Sequence, residues 1–234
     1  MTARDDIAAM VFIAEMYGVQ LDQLALVAGV SPDRARALTA RWQKAGHIDS
    51  ARLGPGPSWV WATRAGLNAC GMKYTATPPA LSRLAHIRAV NAVRLALAGT
   101  ATFRDANAFW RSERRIRARR GVGIRGHLPD AEVHWPDESA LAWAGECWAV
   151  EAELTPKTVA RTAAIMREML TRTGDYGCLA ADAFVPGSRP RHARALYVCA
   201  PAALGTVTRA LGEIGGALAA RIEIRALPAG AVAP

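Results

Sequence analysis

Apolar positions recur at helical spacing from the start of the chain. Ile7, Met10, Val11 and Ala14 lie on one side of an amphipathic run from about Asp5 to Tyr17, which Gly18 ends. A short helix over Leu21–Ala28 follows, closed by Gly29. Ser31-Pro32-Asp33 then supplies an N-cap serine with proline at the first helical position. The helix that begins there runs to about Ala45. On its wheel Ala35, Leu38 and Trp42 face inward, while Arg36, Ala40, Gln43 and Lys44 face outward with Arg34 and Arg41 on the flanks. Two helices joined by a short glycine-containing turn, the second opened by Ser-Pro, make a helix-turn-helix pattern. The rhythm then becomes strand-like. His47-Ile48-Asp49 and Trp59-Val60-Trp61-Ala62 are predicted to pair as a hairpin around Gly54-Pro55-Gly56-Pro57, and a helix opens at Thr63.

Tyr74–Pro79 (YTATPP) reads as a linker, which predicts a domain boundary near residue 78. Beyond it a long helix over Leu81–Leu97 is expected to present Arg83, Arg88 and Arg94 outward. Strands are predicted at Ala108–Ile116, Leu128–Trp135 and Glu146–Leu154, and a helix from about Lys157 to Arg172. A strand at 195–199, a helix over about Pro201–Ile214 and a last strand (RIEIRAL) complete the order α-β-β-β-α-β-α-β. The fold class is thus α+β: an amino-terminal domain over 1–77, an α/β domain over 78–228 with a mixed sheet flanked by helices, and a flexible tail at 229–234.

Composition narrows the function. An apolar content of 51% is ample for packed cores, and no stretch reaches the roughly 18 uncharged apolar residues of a spanning helix. Acids precede the first apolar run, against a signal peptide. Cys70, Cys147, Cys178 and Cys199 are far apart, with no CxxC pair and no histidine at metal-site spacing. They read as buried thiols in a reducing cytoplasm. His86, His127 and His134 each read as an ordinary histidine before a ligand. The net charge of +9 is concentrated: residues 76–128 hold 11 Lys/Arg against 2 Asp/Glu, whereas 1–75 hold 8 against 6 and 129–234 hold 10 against 12. A block of this kind attracts polyanions by counterion release. Double-stranded DNA is therefore the expected partner, and no membrane is. Arg34, Arg36, Arg41, Gln43, Lys44 and the hairpin's Arg52 are the candidate contacts of the first domain. Arg83, Arg88, Arg94, Arg114, Arg115, Arg117, Arg119 and Arg120 are those of the basic block. A homodimer is left open, although no heptad run marks a dimer helix.

Acids converge in the second domain. Asp130 opens the second strand. Glu151 and Glu153, two apart on the third, project to one face, and Lys157 lies just beyond. Three such carboxylates suit Mg²⁺, a hard cation taking oxygen ligands, and an ammonium nearby would stabilise developing charge. Equally, these acids can neutralise the arginines of the first strand across the sheet.

These residues carry two resemblances. Helix, helix-turn-helix and hairpin closing on Trp61-Ala62-Thr63-Arg64-Ala65-Gly66 is similar to the winged helix of bacterial regulators, with Ala62 where leucine is usual. Pro129-Asp130 on the second strand and Glu151-x-Glu153 on the third resemble the PD-(D/E)XK nuclease superfamily, with Glu153 at the place of the lysine. The whole, with His86–Arg94, Trp110-Arg111-Ser112-Glu113-Arg114 and Val150–Lys157, resembles the replication-relaxation family of actinobacterial plasmids and mobile elements over about residues 5–200. The resemblance implies a DNA-binding regulator or a replication or transfer accessory factor that needs no cofactor to bind. A Mg²⁺-dependent endonuclease or nickase using Asp130, Glu151, Glu153 and Lys157 is the alternative. A protein-interaction module meeting an acidic partner is a further one.

Overall fold

The computed structural model describes residues 3–118, 126–173 and 191–231. Among these, no helix is long and apolar enough to cross a membrane. The fold is mixed α+β, and the chain divides into two compact units: residues 1–95 with Pro228–Pro234, and Ala96–Leu227.

In the first unit, α1 (Ala3–Glu15), α2 (Leu21–Ala28) and α3 (Pro32–Lys44) pack beside a three-stranded antiparallel sheet. Its strands are β1 (Val19–Gln20), β2 (Ile48–Ala51) and β3 (Trp59–Ala62), in the order β1-β3-β2. Local chemistry explains the boundaries. Gly29 ends α2 in the left-handed region at φ 61°, where glycine carries no Cβ penalty. Ser31 then caps α3, its side chain accepting from the Arg34 amide. Ala35, Leu38, Thr39 and Trp42 are buried on α3, in keeping with the predicted inward face. Thr63 caps the short α4 (Arg64–Ala69) by accepting from the Gly66 amide, while its hydroxyl donates 2.6 Å to the Gly46 carbonyl. A Cβ on Gly66 would sit 1.9 Å from the His47 carbonyl oxygen, so only glycine lets α4 approach the start of the hairpin.

The unit boundary falls well beyond the predicted residue 78, because the first three turns of α5 (Leu84–Ala98) belong to the first unit. Arg88 and Arg94, expected outward, turn inward. The Arg88 guanidinium pairs with Asp22 (2.6 and 3.0 Å) and Gln20 and donates to the Gly230 carbonyl (2.9 and 3.1 Å). Arg94 pairs with Glu15 at 3.1 Å and stacks over Phe12 at 4.4 Å. Asn91, fully buried between them, donates to the Gly18 carbonyl and the Gln23 side chain. A buried arginine without an acid would cost several kcal/mol; Asp22 on α2 supplies one for the buried Arg88, and Glu15 on α1 supplies one for the half-buried Arg94. The predicted flexible tail is also revised: Ala231 is buried and Gly230 is bound, while 232–234 lie outside the described residues.

The second unit is built on a five-stranded sheet, β4 (Phe109–Ser112), β5 (Ala131–His134), β6 (Cys147–Glu153), β7 (Arg194–Cys199) and β8 (Ile222–Ala226), in that order. β4, β5 and β6 run antiparallel; β7 and β8 join in parallel through α8 (Val159–Thr171) and α9 (Pro201–Ile214). The short α6 (Ala101–Asp105) precedes β4, and α10 (Gly216–Ala219) precedes β8. Alternation sorts the sheet into two faces. Ala149, Ala195, Tyr197 and Cys199 meet Ala163, Met166, Met169 and Leu170 of α8 and Val207 and Ala210 of α9. The other face carries Val133, Trp148, Val150 and Leu196, which line a cavity of about 510 Å³ with Trp135 and Trp143.

The predicted strand over Ala108–Ile116 is half strand, half helix. It leaves β4 at Ser112 and becomes α7 (Glu113–Ala118), held by an i,i+4 bond from Arg117 Nε to Glu113 (2.7 Å). The run of Glu and Arg is a better helix former than strand former, and it wins once the apolar alternation stops.

Candidate functional site

Asp130 stands one residue before β5, where its carbonyl accepts from the Glu113 amide. Its carboxylate accepts from the Ala152 amide of β6 at 2.9 Å, which fixes it beside the next strand. Glu151 and Glu153 point to the same face of β6, opposite Tyr197 and Cys199 of β7, and both are buried. Lys157 reaches back to Glu153 from the loop before α8. The four residues singled out from sequence are thus gathered at one end of the sheet.

The structure adds His127, which the sequence gives as an ordinary histidine, and Tyr197, which the sequence does not single out. His127 Nε2 lies 2.7 Å from Glu151, and its backbone amide donates 2.8 Å to Glu168, so α8 holds it in place. The Tyr197 hydroxyl is buried among these acids with no hydrogen-bond partner among the described residues.

The cluster is short of positive charge. Burial and the Asp130 carboxylate push the Glu151 carboxyl up to about 7 against the opposing pull of His127. Burial alone would lower the His127 pKa, but the hydrogen bond and charge of Glu151, with Asp130 behind it, outweigh that and raise it. Tyr197 is pushed well up by burial and by the charges of Glu151 and Glu153. The pair Glu151–His127 therefore holds a proton into the neutral range. As arranged, the three carboxylates do not form one metal-ligand set. Each has its own partner (the Ala152 amide, His127 or Lys157), and among the described residues their oxygens are not gathered as a group of ligand atoms within 4.8 Å of one another.

A second carboxylate centre lies on the same face, one strand over. Glu132 is fully buried and accepts four hydrogen bonds: from Arg111 (3.0 Å) and His134 (3.1 Å) on Oε2, and from Arg191 (2.8 Å) and His192 (3.0 Å) on Oε1. Burial would raise its pKa, but the bonds from His134, His192 and Arg191 hold it far below the usual carboxylate range. Cys147, directly opposite His134, places Sγ 3.6 Å from His134 Nε2. The sequence reading names His134 only as an ordinary histidine and Cys147 only as a buried thiol; it does not join them to Glu132, although Glu132-x-His134 on a strand is a same-face pair.

The cationic candidates divide sharply. Arg34, Lys44 and Arg52 are exposed, and so is Gln43, which accepts from Ser50 at 3.1 Å. Arg36 and Arg41 are exposed but pair with Asp33 and Asp6. Arg83 is half-buried, near the Tyr17 ring. In the basic block Arg88 and Arg114 are buried and Arg94 is enclosed by its contacts, so none of the three forms an outer phosphate-facing surface. Arg115 is half-buried, and Arg117 is exposed and pairs with Glu113. Arg119 and Arg120, like Cys178, lie outside the described residues.

Comparison with protein-family models, with curated proteins and with solved structures finds no match for this chain.

Proposed function

We propose that this protein binds double-stranded DNA through its first unit, as a non-catalytic regulator or accessory factor of plasmid or mobile-element replication or transfer. The carrying observation is the solvent face of α3. Arg36, Ala40, Gln43 and Lys44 are exposed on the outward side of a capped helix, with Arg34 exposed on its flank and Ala35, Leu38 and Trp42 anchoring the inner side. A small residue among long polar ones suits a helix lying in a major groove. The hairpin loop with exposed Arg52 follows it, in the order of a winged helix-turn-helix. With the inner arginines of α5 removed from the count, α3 and the loop carry the phosphate contacts. Titration of a labelled duplex at several salt concentrations tests this. Binding should weaken steeply with salt, and Lys44→Ala or Arg52→Ala should each lower the slope of log K against log salt by about 1. Absence of duplex binding at low ionic strength would overturn it and leave an acidic protein partner as the reading to pursue.

A second reading, Mg²⁺-dependent cleavage, is favoured by the gathering of Asp130, Glu151, Glu153 and Lys157 at the end of a mixed α/β sheet that resembles a PD-(D/E)XK core. The donors are of the oxygen type that Mg²⁺ takes. The arrangement described, however, engages each carboxylate elsewhere. Supercoiled DNA incubated with Mg²⁺ or Mn²⁺ decides: nicking abolished by Asp130→Ala and Glu151→Ala establishes it, and intact supercoils with either metal reject it.

A further inference from the structure

We propose that Glu132, His134 and Cys147 form a binding site for a borderline divalent transition ion of the Zn²⁺ class, separate from the acid cluster. The three come from two adjacent strands of one sheet face, and their ligand atoms all lie within 4.8 Å of one another. The two edges that meet at His134 Nε2 have the dimensions of a tetrahedral site, and the third, from Glu132 to Cys147, is within 4.8 Å. Bonds of about 2.0–2.1 Å to nitrogen and oxygen and about 2.3 Å to sulfur imply edges of about 3.3 Å between N and O and about 3.6 Å between N and S. The observed separations are 3.1 Å for His134 Nε2 to Glu132 Oε2 and 3.6 Å for His134 Nε2 to Cys147 Sγ.

The surroundings fix the ligands. Phe109 stacks on the His134 ring, with centroids 4.7 Å apart and planes 4° from parallel. Arg191 and His192 hold the other oxygen of Glu132, an outer shell that orients the carboxylate. Cys147 and Arg191 line a cavity of about 620 Å³ with Glu146, Arg194 and Arg221, which offers an entry path from the Cys147 side. The ion takes the place of the Nε2 proton that His134 donates to Glu132, and that proton moves to Nδ1 of the same ring. His134 then ligates through Nε2 with its proton on Nδ1, and the Arg111 bond to Oε2 stays. The Cys147 thiol forms the S–metal bond by releasing its proton to solvent, so affinity rises with pH. The mixed sulfur, nitrogen and oxygen set selects Zn²⁺ or Co²⁺ over Mg²⁺. Loading adds one net positive charge beside two guanidiniums, which makes the site weaker and more exchangeable than an all-thiolate one.

Titrating the full chain with Co²⁺ alone tests this. One equivalent should produce a thiolate-to-cobalt charge-transfer band with intense tetrahedral d–d bands, displaced by Zn²⁺. The band should vanish in Cys147→Ser, with an unchanged circular dichroism spectrum, and persist in Cys70→Ser and Glu151→Gln. No such band in the parent chain, or a band that survives Cys147→Ser, overturns the proposal. Neither result depends on whether DNA binds.

Discussion

Glu132 and Glu151 sit on neighbouring strands of one sheet, on the same face, both withdrawn from solvent, and their surroundings drive them in opposite directions. Glu132 accepts from two guanidiniums and two imidazoles and stays ionised far below the usual range. Glu151 has one imidazole and two neighbouring carboxylates, and it holds a proton toward neutrality. Depth is the same; the supply of donors differs. One centre fastens β4, β5 and the approach to β7 together, whereas the other is held short of compensation.

The largest test is Glu132→Gln, which leaves the half-buried Arg111 and Arg191 without their counter-charge. Urea unfolding should show a loss of about 3–5 kcal/mol; a loss below about 1 would mean that the four bonds contribute little. Next is Glu151→Gln. A carboxyl whose folded pKa is raised stabilises the fold fully below its ordinary value of 4.5, and that contribution is lost as pH rises toward about 7. His127, also raised, acts in the same sense from 6.5 upward. Glu151→Gln should therefore be more stable than the parent chain at pH 8 by about 1–2 kcal/mol, with the advantage gone by pH 5. For Glu132 the sign reverses: its contribution is present above 4.5 and lost as pH falls below it. A difference between Glu151→Gln and parent that is flat from pH 5 to 8 would erase the contrast. Lys157→Ala, which strips the lysine bonded to Glu153, should cost about 1 kcal/mol at pH 8 and less at pH 5, where protonation relieves the cluster. Smallest is Arg225→Ala. It breaks a half-exposed pair with Glu223 on β8 and should stay within about 0.5 kcal/mol in the same assay.

What the sequence disclosed was local. Ser31-Pro32, the wheel of α3, the Gly-Pro loop between β2 and β3 and the Glu151-x-Glu153 alternation each depend on residues a few positions apart, and each appears where it was expected. The arginines of α5 were misread because their acids, Asp22 and Glu15, lie 66 or more residues away; a helical wheel cannot tell a solvated arginine from one with a distant partner. The charge excess of residues 76–128 concealed the same fact. The Glu132 centre was illegible for a stronger reason: its donors come from β4, β5 and the segment before β7, and only the sheet brings them together. Ser112 marks a third limit, where alternation stops and helix propensity takes over in α7.

The bond from Arg88 to the Gly230 carbonyl sets an order of assembly. A ribosome completes α1, α2 and α3 first, yet the socket that receives Arg88 lacks one wall until some 140 further residues have been made. The nascent first unit must therefore persist with this guanidinium only partly satisfied while the whole five-stranded sheet is synthesised. The earliest unit to emerge is the last to be closed, and chains released before residue 230 would carry that opening permanently.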